Sequence, residues 1–223
     1  MKLRRIIYRT LTIIFHPFLS KERNVIFDSR FFGTGKASVR MKDSVVKRSE
    51  IRFLGEGHSF EASKCCLHNC NIFLRGKGHR LVIDEDVRLF NIRIKIIGEN
   101  NVVHVGKSSS LDGGNIIAGG VGTSITIGEG CMISEGLDIW NTDTHSIFQD
   151  DALLNPPKSI EIGNYVWLGK DVAILKGVVI GDNAVVGMKS VVTKSIRPST
   201  LNVGSPSREI QSDINWSRKN PNN

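Results

Sequence analysis

A chain of 223 residues that is 40% hydrophobic and 23% charged has the composition of a folded globular protein, which excludes a disordered segment. Its formal charge of +8 points to an anionic partner: a phosphorylated cofactor, a membrane surface or nucleic acid. Nucleic acid is set aside because no binding motif is present and the basic residues do not cluster with aromatics in a recognisable strand pattern.

In chain order, residues 1–24 form a basic amphipathic segment. Leu3, Ile6, Ile7, Leu11, Ile14 and Phe15 share one stripe of a short N-terminal helix, with Lys2, Arg4, Arg5 and Arg9 off it. Such a stripe can cap the end of a repeat stack or lie on an anionic membrane surface through residues 1–20. Arg9 interrupts the apolar run and no small-residue cleavage site follows, so a cytoplasmic protein is expected, with peripheral contact at the inner membrane face as an option.

From Val25 to about Val105 short β-branched runs alternate with glycines. Ile83, Val87, Leu89, Ile97 and Val103 approximate a step of six, and Phe53, Phe60, Phe73 and Phe90 imply wider coils. Gly33-Thr34-Gly35 lacks the third glycine and following helix of a dinucleotide fold. Cys65, Cys66 and Cys70 with His68 only loosely approach a metal-ligand spacing. With Cys131 they read as small residues on a repeat wall, and no metal is expected.

The step then becomes regular at Val121, Ile127, Ile133 and Ile139, breaks, and resumes at Ile162, Leu168, Ile174, Ile180, Val186 and Val192. A second, smaller class follows each of the last six by four positions, from Val166 to Ile196, and glycine often comes directly after the aliphatic residue. A period of six fits neither a helix nor a flat strand. It is the mark of hexapeptide coils that turn a corner every six residues, and so of an all-β parallel β-helix over residues 25–210. Residues 211–223 are a polar C-terminal tail.

The break between Ile139 and Ile162 is not a multiple of six, so residues 140–160 must leave the wall as an extruded loop, where function tends to sit. The loop holds one histidine, His145, in Thr142-Asp143-Thr144-His145-Ser146. Imidazole, with an ordinary pKa of about 6.5, is the side chain best suited to accept a proton at neutral pH. Asp143 is near enough in sequence to orient that ring or bind a hydroxyl, and equally able to form a turn.

The stretch VWLGKDVAILKGVVIGDNAVVGMKSVVTKSI, followed by VGSPSREI, resembles the hexapeptide-repeat acyltransferases, among them the sugar and bacterial polysaccharide O-acetyltransferases. The resemblance runs from about Val121 to Ile210. It implies a left-handed parallel β-helix, a homotrimer with active sites between subunits, acetyl-CoA as co-substrate and a sugar or polysaccharide acceptor. His145 would be the general base of a direct transfer. Carried over by position, Trp167, Lys170, Met188, Thr193, Lys194 and Arg208 become the cofactor-binding set, although Lys170 and Met188 stand where relatives often have smaller residues. Asn115 and Trp140 become acceptor contacts. Two other readings share the fold: a catalytically silent scaffold, and a γ-type carbonic anhydrase. The latter needs three convergent histidines and finds only His104 and His145 on the later coils.

Overall fold

A computed structural model describes residues 23–219, so the expected N-terminal helical segment and its membrane contact lie outside the described residues. Those residues form strands and turns only, wound into a triangular solenoid. Each coil contributes one strand to each of three parallel sheets. Sheet A runs from Val25–Phe27 up to Leu201–Val203, sheet B from Arg30–Thr34 to Val191–Val192, and sheet C from Ala37–Lys42 to Val179–Ile180. An antiparallel strand, Arg208–Gln211, pairs with Leu201–Val203 and closes sheet A.

The six-step residues Ile162, Leu168, Ile174, Ile180, Val186 and Val192 all point into the core, one per face, and the second class from Val166 to Ile196 is buried with them. The five corners between Ile162 and Val192 each turn through one residue in the left-handed region: Tyr165, Asp171, Gly177, Asn183 and Lys189, with φ of 52, 57, 78, 60 and 58°. Where glycine follows the aliphatic residue, at Gly163, Gly169, Gly181 and Gly187, packing requires it. A Cβ on Gly169 would lie 2.7 Å from the amide nitrogen of Met188 in the coil above.

The coils differ in girth. Trp167 pairs with Val185, a step of 18, whereas Arg88 pairs with Ser110 and Ser110 with Met132, a step of 22. The surplus lies at the end of sheet B, where strands such as Ile92–Glu99 and Gly114–Val121 run on for eight residues. They end on a stacked glycine ladder. A Cβ on Gly55, Gly76 or Gly98 would sit 1.9–2.0 Å from the carbonyl oxygen of the next glycine up, and all three have positive φ. This extension corrects one sequence expectation: Val121 is not a core position but lies beyond the ladder and is 73% exposed. Ile127, Ile133 and Ile139 are fully buried.

Where the wide coils turn from sheet B into sheet C, buried polar side chains replace backbone bonds that the broad corner cannot make. His79 N–H donates to His58 Nδ1 (3.3 Å), Asn101 N–H to His79 Nδ1 (3.2 Å) and Thr123 N–H to Asn101 Oδ1 (2.9 Å). The outer nitrogens face the carbonyls of Leu54 and Arg75, so both rings donate at Nε2 and accept at Nδ1. That pairing fixes them as neutral, and the rings stack at 5.1 Å. Serines and cysteines share the corresponding task at other corners: Ser44, Ser49 and Ser109 accept the amides of Cys65, Cys70 and Cys131. Burial pushes Cys65 and Cys70 up to about 11, so these thiols stay protonated and serve as wall residues.

Burial lowers the pKa of both His58 and His79, against a smaller opposing pull from the carbonyls of Leu54 and Arg75. A folded-state value below the unfolded one means that the unfolded chain takes up protons first as pH falls. The ladder's contribution is therefore complete above about pH 6.5 and declines below it, through the depressed folded values. Denaturant midpoints should fall between pH 7 and 5. His79→Asn, which imitates Asn101 one coil up, should flatten that dependence.

Candidate active site

Among the described residues the solenoid is interrupted once. Met132 pairs with Trp167, a step of 35 where its neighbours step by 22 and 18, and the surplus is the loop that leaves Trp140 and returns at Ile160. It emerges from the edge between sheets B and C. Asn141, fully buried, anchors its start: its Oδ1 accepts Gly119 N–H (2.7 Å), its Nδ2 donates to Thr123 Oγ1 (2.8 Å), and its carbonyl accepts Lys158 N–H (3.0 Å). The outer part is a small hairpin, Phe148–Gln149 against Ala152–Leu153, whose Ile147, Phe148, Leu153 and Leu154 are all exposed.

His145 lies on the ascending limb, exposed, and no hydrogen bond to its ring is found among the described residues. Its carbonyl accepts Asn155 Nδ2 (2.8 Å). Asp143 does not meet the ring either. Its carboxylate accepts Asn155 Nδ2 at 2.8 Å and pairs with the Lys176 ammonium, and Lys176, more than Asn155, holds it below the usual carboxylate range. Lys176 was not singled out from sequence, where it is one of many lysines. Asn155 likewise was indistinguishable from a turn residue before Pro156.

Asn115 and Trp140 lie on the outer face of sheet B on adjacent coils, joined through a residue the sequence reading passed over. Asp138 Oδ1 accepts Asn115 Nδ2 at 2.8 Å and faces Trp140 Nε1 at 3.5 Å. The outward alternation of Asp138 and Trp140 around Ile139 was the available signal.

The six expected cofactor residues are spread over the upper coils. Trp167 faces out from sheet A. Lys170, paired with Glu135, and Met188 lie along the edge between sheets A and B. Thr193 and Lys194 are exposed on the edge between B and C, above the loop, and Arg208 is exposed on the closing hairpin. Part of the polar tail descends the face of sheet A. Trp216 donates Nε1–H to the Tyr165 carbonyl (2.6 Å) and rests its ring 5.9 Å from that of Trp167. Arg218 donates to the carbonyls of Ser108, Gly130 and Cys131 and to the Ser110 hydroxyl. Within one chain, then, His145 stands on the edge opposite the face that carries Trp167.

The lower coils revise the view of the charge. On the outside of sheet B the register stacks Phe32, Arg52, Phe73, Lys95, Ile117 and Trp140 in one file. The Arg52 guanidinium lies 4.6 Å from the Phe32 ring centre and 5.8 Å from that of Phe73. Arg75 and Arg93 flank it. Basic and aromatic residues are thus clustered, contrary to the sequence expectation, because residues 20–22 positions apart become neighbours only once the coils stack. Among the described residues no group of three His, Cys, Asp or Glu side chains is placed to hold a metal ion.

Comparison with known proteins sets this solenoid of hexapeptide coils and its histidine-bearing loop among transferases. Residues 159–194 match the bacterial transferase hexapeptide (six repeats) family. The chain is 32% identical over 137 residues to the polysialic acid O-acetyltransferase of Neisseria meningitidis, covering 60% of this chain and 63% of that protein. It is 37% identical over 91 residues to the galactoside O-acetyltransferase of Escherichia coli, covering 40% and 44%. The matched stretches thus span less than two thirds of these curated relatives. Across the fold, the crystal structure of the polysialic acid O-acetyltransferase OatWY superposes with a TM-score of 0.80 and 30% identity over 85% of this chain and 92% of the other. The chain belongs to the hexapeptide-repeat acyltransferases, with their left-handed parallel β-helix, and is most like the bacterial polysaccharide and sugar O-acetyltransferases.

Proposed function

We propose that the chain is an acetyl-CoA-dependent O-acetyltransferase that modifies a hydroxyl of a sugar or surface polysaccharide, working as a homotrimer. The observation that carries this reading is His145, an exposed imidazole on the one loop that interrupts a solenoid of this family. In the proposed step the ring takes the proton of an acceptor hydroxyl as its oxygen attacks the thioester carbonyl. The tetrahedral intermediate, its oxyanion held by a backbone N–H, collapses to the acetyl ester. The departing thiolate recovers the proton from the imidazolium as free CoA thiol. No nucleophilic serine or cysteine is required, in keeping with the buried, protonated thiols of Cys65 and Cys70.

Assembly with a second copy is supported by two features, and the number three comes from the family resemblance. His145 and Trp167 belong to opposite sides of one prism, so a site using both needs a second copy. The loop's exposed apolar hairpin also has no counterpart on its own solenoid and would be covered by a neighbour. The donor set then groups Trp167, Lys170 and Met188, with Thr193, Lys194 and Arg208 as candidates for the charged end of CoA. Asn115, Asp138 and Trp140 serve the acceptor. The file of Arg52, Phe73 and Lys95 leads along sheet B towards Trp140, and favours an extended acidic polymer over a free monosaccharide. A cytoplasmic location, with residues 1–20 touching the membrane, belongs to the same proposal and rests on sequence alone.

His145→Ala should lower glycan-dependent release of thiol from acetyl-CoA by about 10²–10⁴-fold while acetyl-CoA binding persists; full activity in the variant would reject the base. Raising ionic strength from about 0.05 to about 0.5 M should raise KM for an acidic polymer several-fold and leave that of a short neutral oligosaccharide unchanged. Arg52→Ala with Arg75→Ala should blunt that difference, and a polymer KM indifferent to both salt and substitution would remove the track.

A further inference from the structure

We propose that Lys176 and Asn155 are positioning residues of the transfer reaction, acting with Asp143 as a clamp that ties the loop bearing His145 to the rigid wall of the solenoid. The inference rests on the reading of His145 as general base and assigns the parts that aim it.

The clamp joins the solenoid wall to the loop. Lys176 follows Leu175, whose strand pairs with Asp138–Trp140 in the coil beneath, so its backbone is set by sheet B. Its side chain is only 19% exposed and crosses to the loop, where the ammonium pairs with Asp143 and also donates to the Asn155 carbonyl at 3.4 Å. A half-buried ammonium needs such partners, because desolvation without them is costly. Asn155 sits at the centre. Its Oδ1 accepts Ile147 N–H (2.7 Å), and its Nδ2 donates to Asp143 Oδ2 and to the His145 carbonyl, each at 2.8 Å. One side chain thereby fixes the residues on both sides of His145 and the backbone of His145 itself, and leaves the imidazole free to face a substrate.

The backbone next to the histidine needs this restraint. Thr144, between Asp143 and His145, has φ of 61°, an unfavourable conformation for a β-branched residue. Its amide is held by Thr142 Oγ1 at 3.1 Å. A strained residue of this kind persists only where its surroundings over-determine it, and relaxing it would swing the ring that follows. Asp143, on this account, acts through the clamp and not by touching the ring.

Steady-state kinetics with acetyl-CoA and an accepted glycan test the proposal. Lys176→Met and Asn155→Ala should each lower kcat by about 10- to 100-fold, the penalty for misplacing a reacting group by about 1 Å. KM for acetyl-CoA should stay within about twofold of wild type and the melting temperature should be nearly unchanged. Lys176→Arg, which keeps the charge, should recover most of kcat. In the His145→Ala background Lys176→Met should have no further effect, since no base remains to be aimed. A folded Lys176→Met with wild-type kcat overturns the proposal, as does an equal loss with and without His145. Should Lys176→Met fail to fold, the near-isosteric Asp143→Asn must show the same kcat loss and the same dependence on His145, and its absence is equally fatal. The base is checked first by His145→Ala alone: activity retained there fails the base and the clamp together, whereas activity lost there but intact in the clamp variants fails the clamp only.

Discussion

Every coil of this solenoid must lie in register on the one below, because the backbone of each strand finds its hydrogen-bond partners only in the adjacent coils. From that constraint the rest follows. Each face admits an inward aliphatic residue, the tight corners between Ile162 and Val192 take a residue that tolerates a left-handed turn, and small residues recur where a Cβ would strike the next coil. Side chains can substitute for the backbone where the corner is too broad, as the His58–His79–Asn101 ladder does. Extra length must either widen every coil of a stack together, as the glycine ladder of the lower half does, or leave the wall altogether. Residues 141–159 take the second course.

The excluded loop inherits the requirement in another form. It has no sheet to join, so its polar groups are satisfied by side chains: Asn141 at the root, Asn155 and Asp143 in the middle, and Lys176 reaching out from the wall. This makes it a rigid arm and not a slack connection. The arm presents an exposed histidine and an apolar hairpin away from its own solenoid, while Trp167 faces out from the opposite side. In the proposed homotrimer, this arm on one edge would meet the Trp167 face of a neighbouring copy.

How much of this could be read from residues alone depended on distance along the chain. The six-step from Ile162 to Val192 was legible because the narrow core repeats every hexad and tolerates nothing but aliphatic residues. The loop was legible as a failure of that step. The wide coils were only glimpsed through their phenylalanines, since their period of about 20–22 is blurred by strands of unequal length, and Val121 was misassigned for that reason. The corner residues were invisible: Tyr165, Asp171, Asn183 and Lys189 share a conformation but no chemistry. Contacts between coils escaped as well. Lys176 with Asp143, Arg52 between Phe32 and Phe73, and Trp216 on Trp167 join residues 20 to 49 positions apart.

The proposed shared site sets His145 of one chain, as base, against the Trp167 face of another. Mixing two inactive variants, His145→Ala and Trp167→Ala, tests it most directly. If the site is shared, random co-assembly pairs an intact loop with an intact face at about one interface in four and restores roughly a quarter of wild-type acetyl transfer. If both residues serve a site within one chain, every mixed assembly stays as inactive as its parents, and that result would contradict the account.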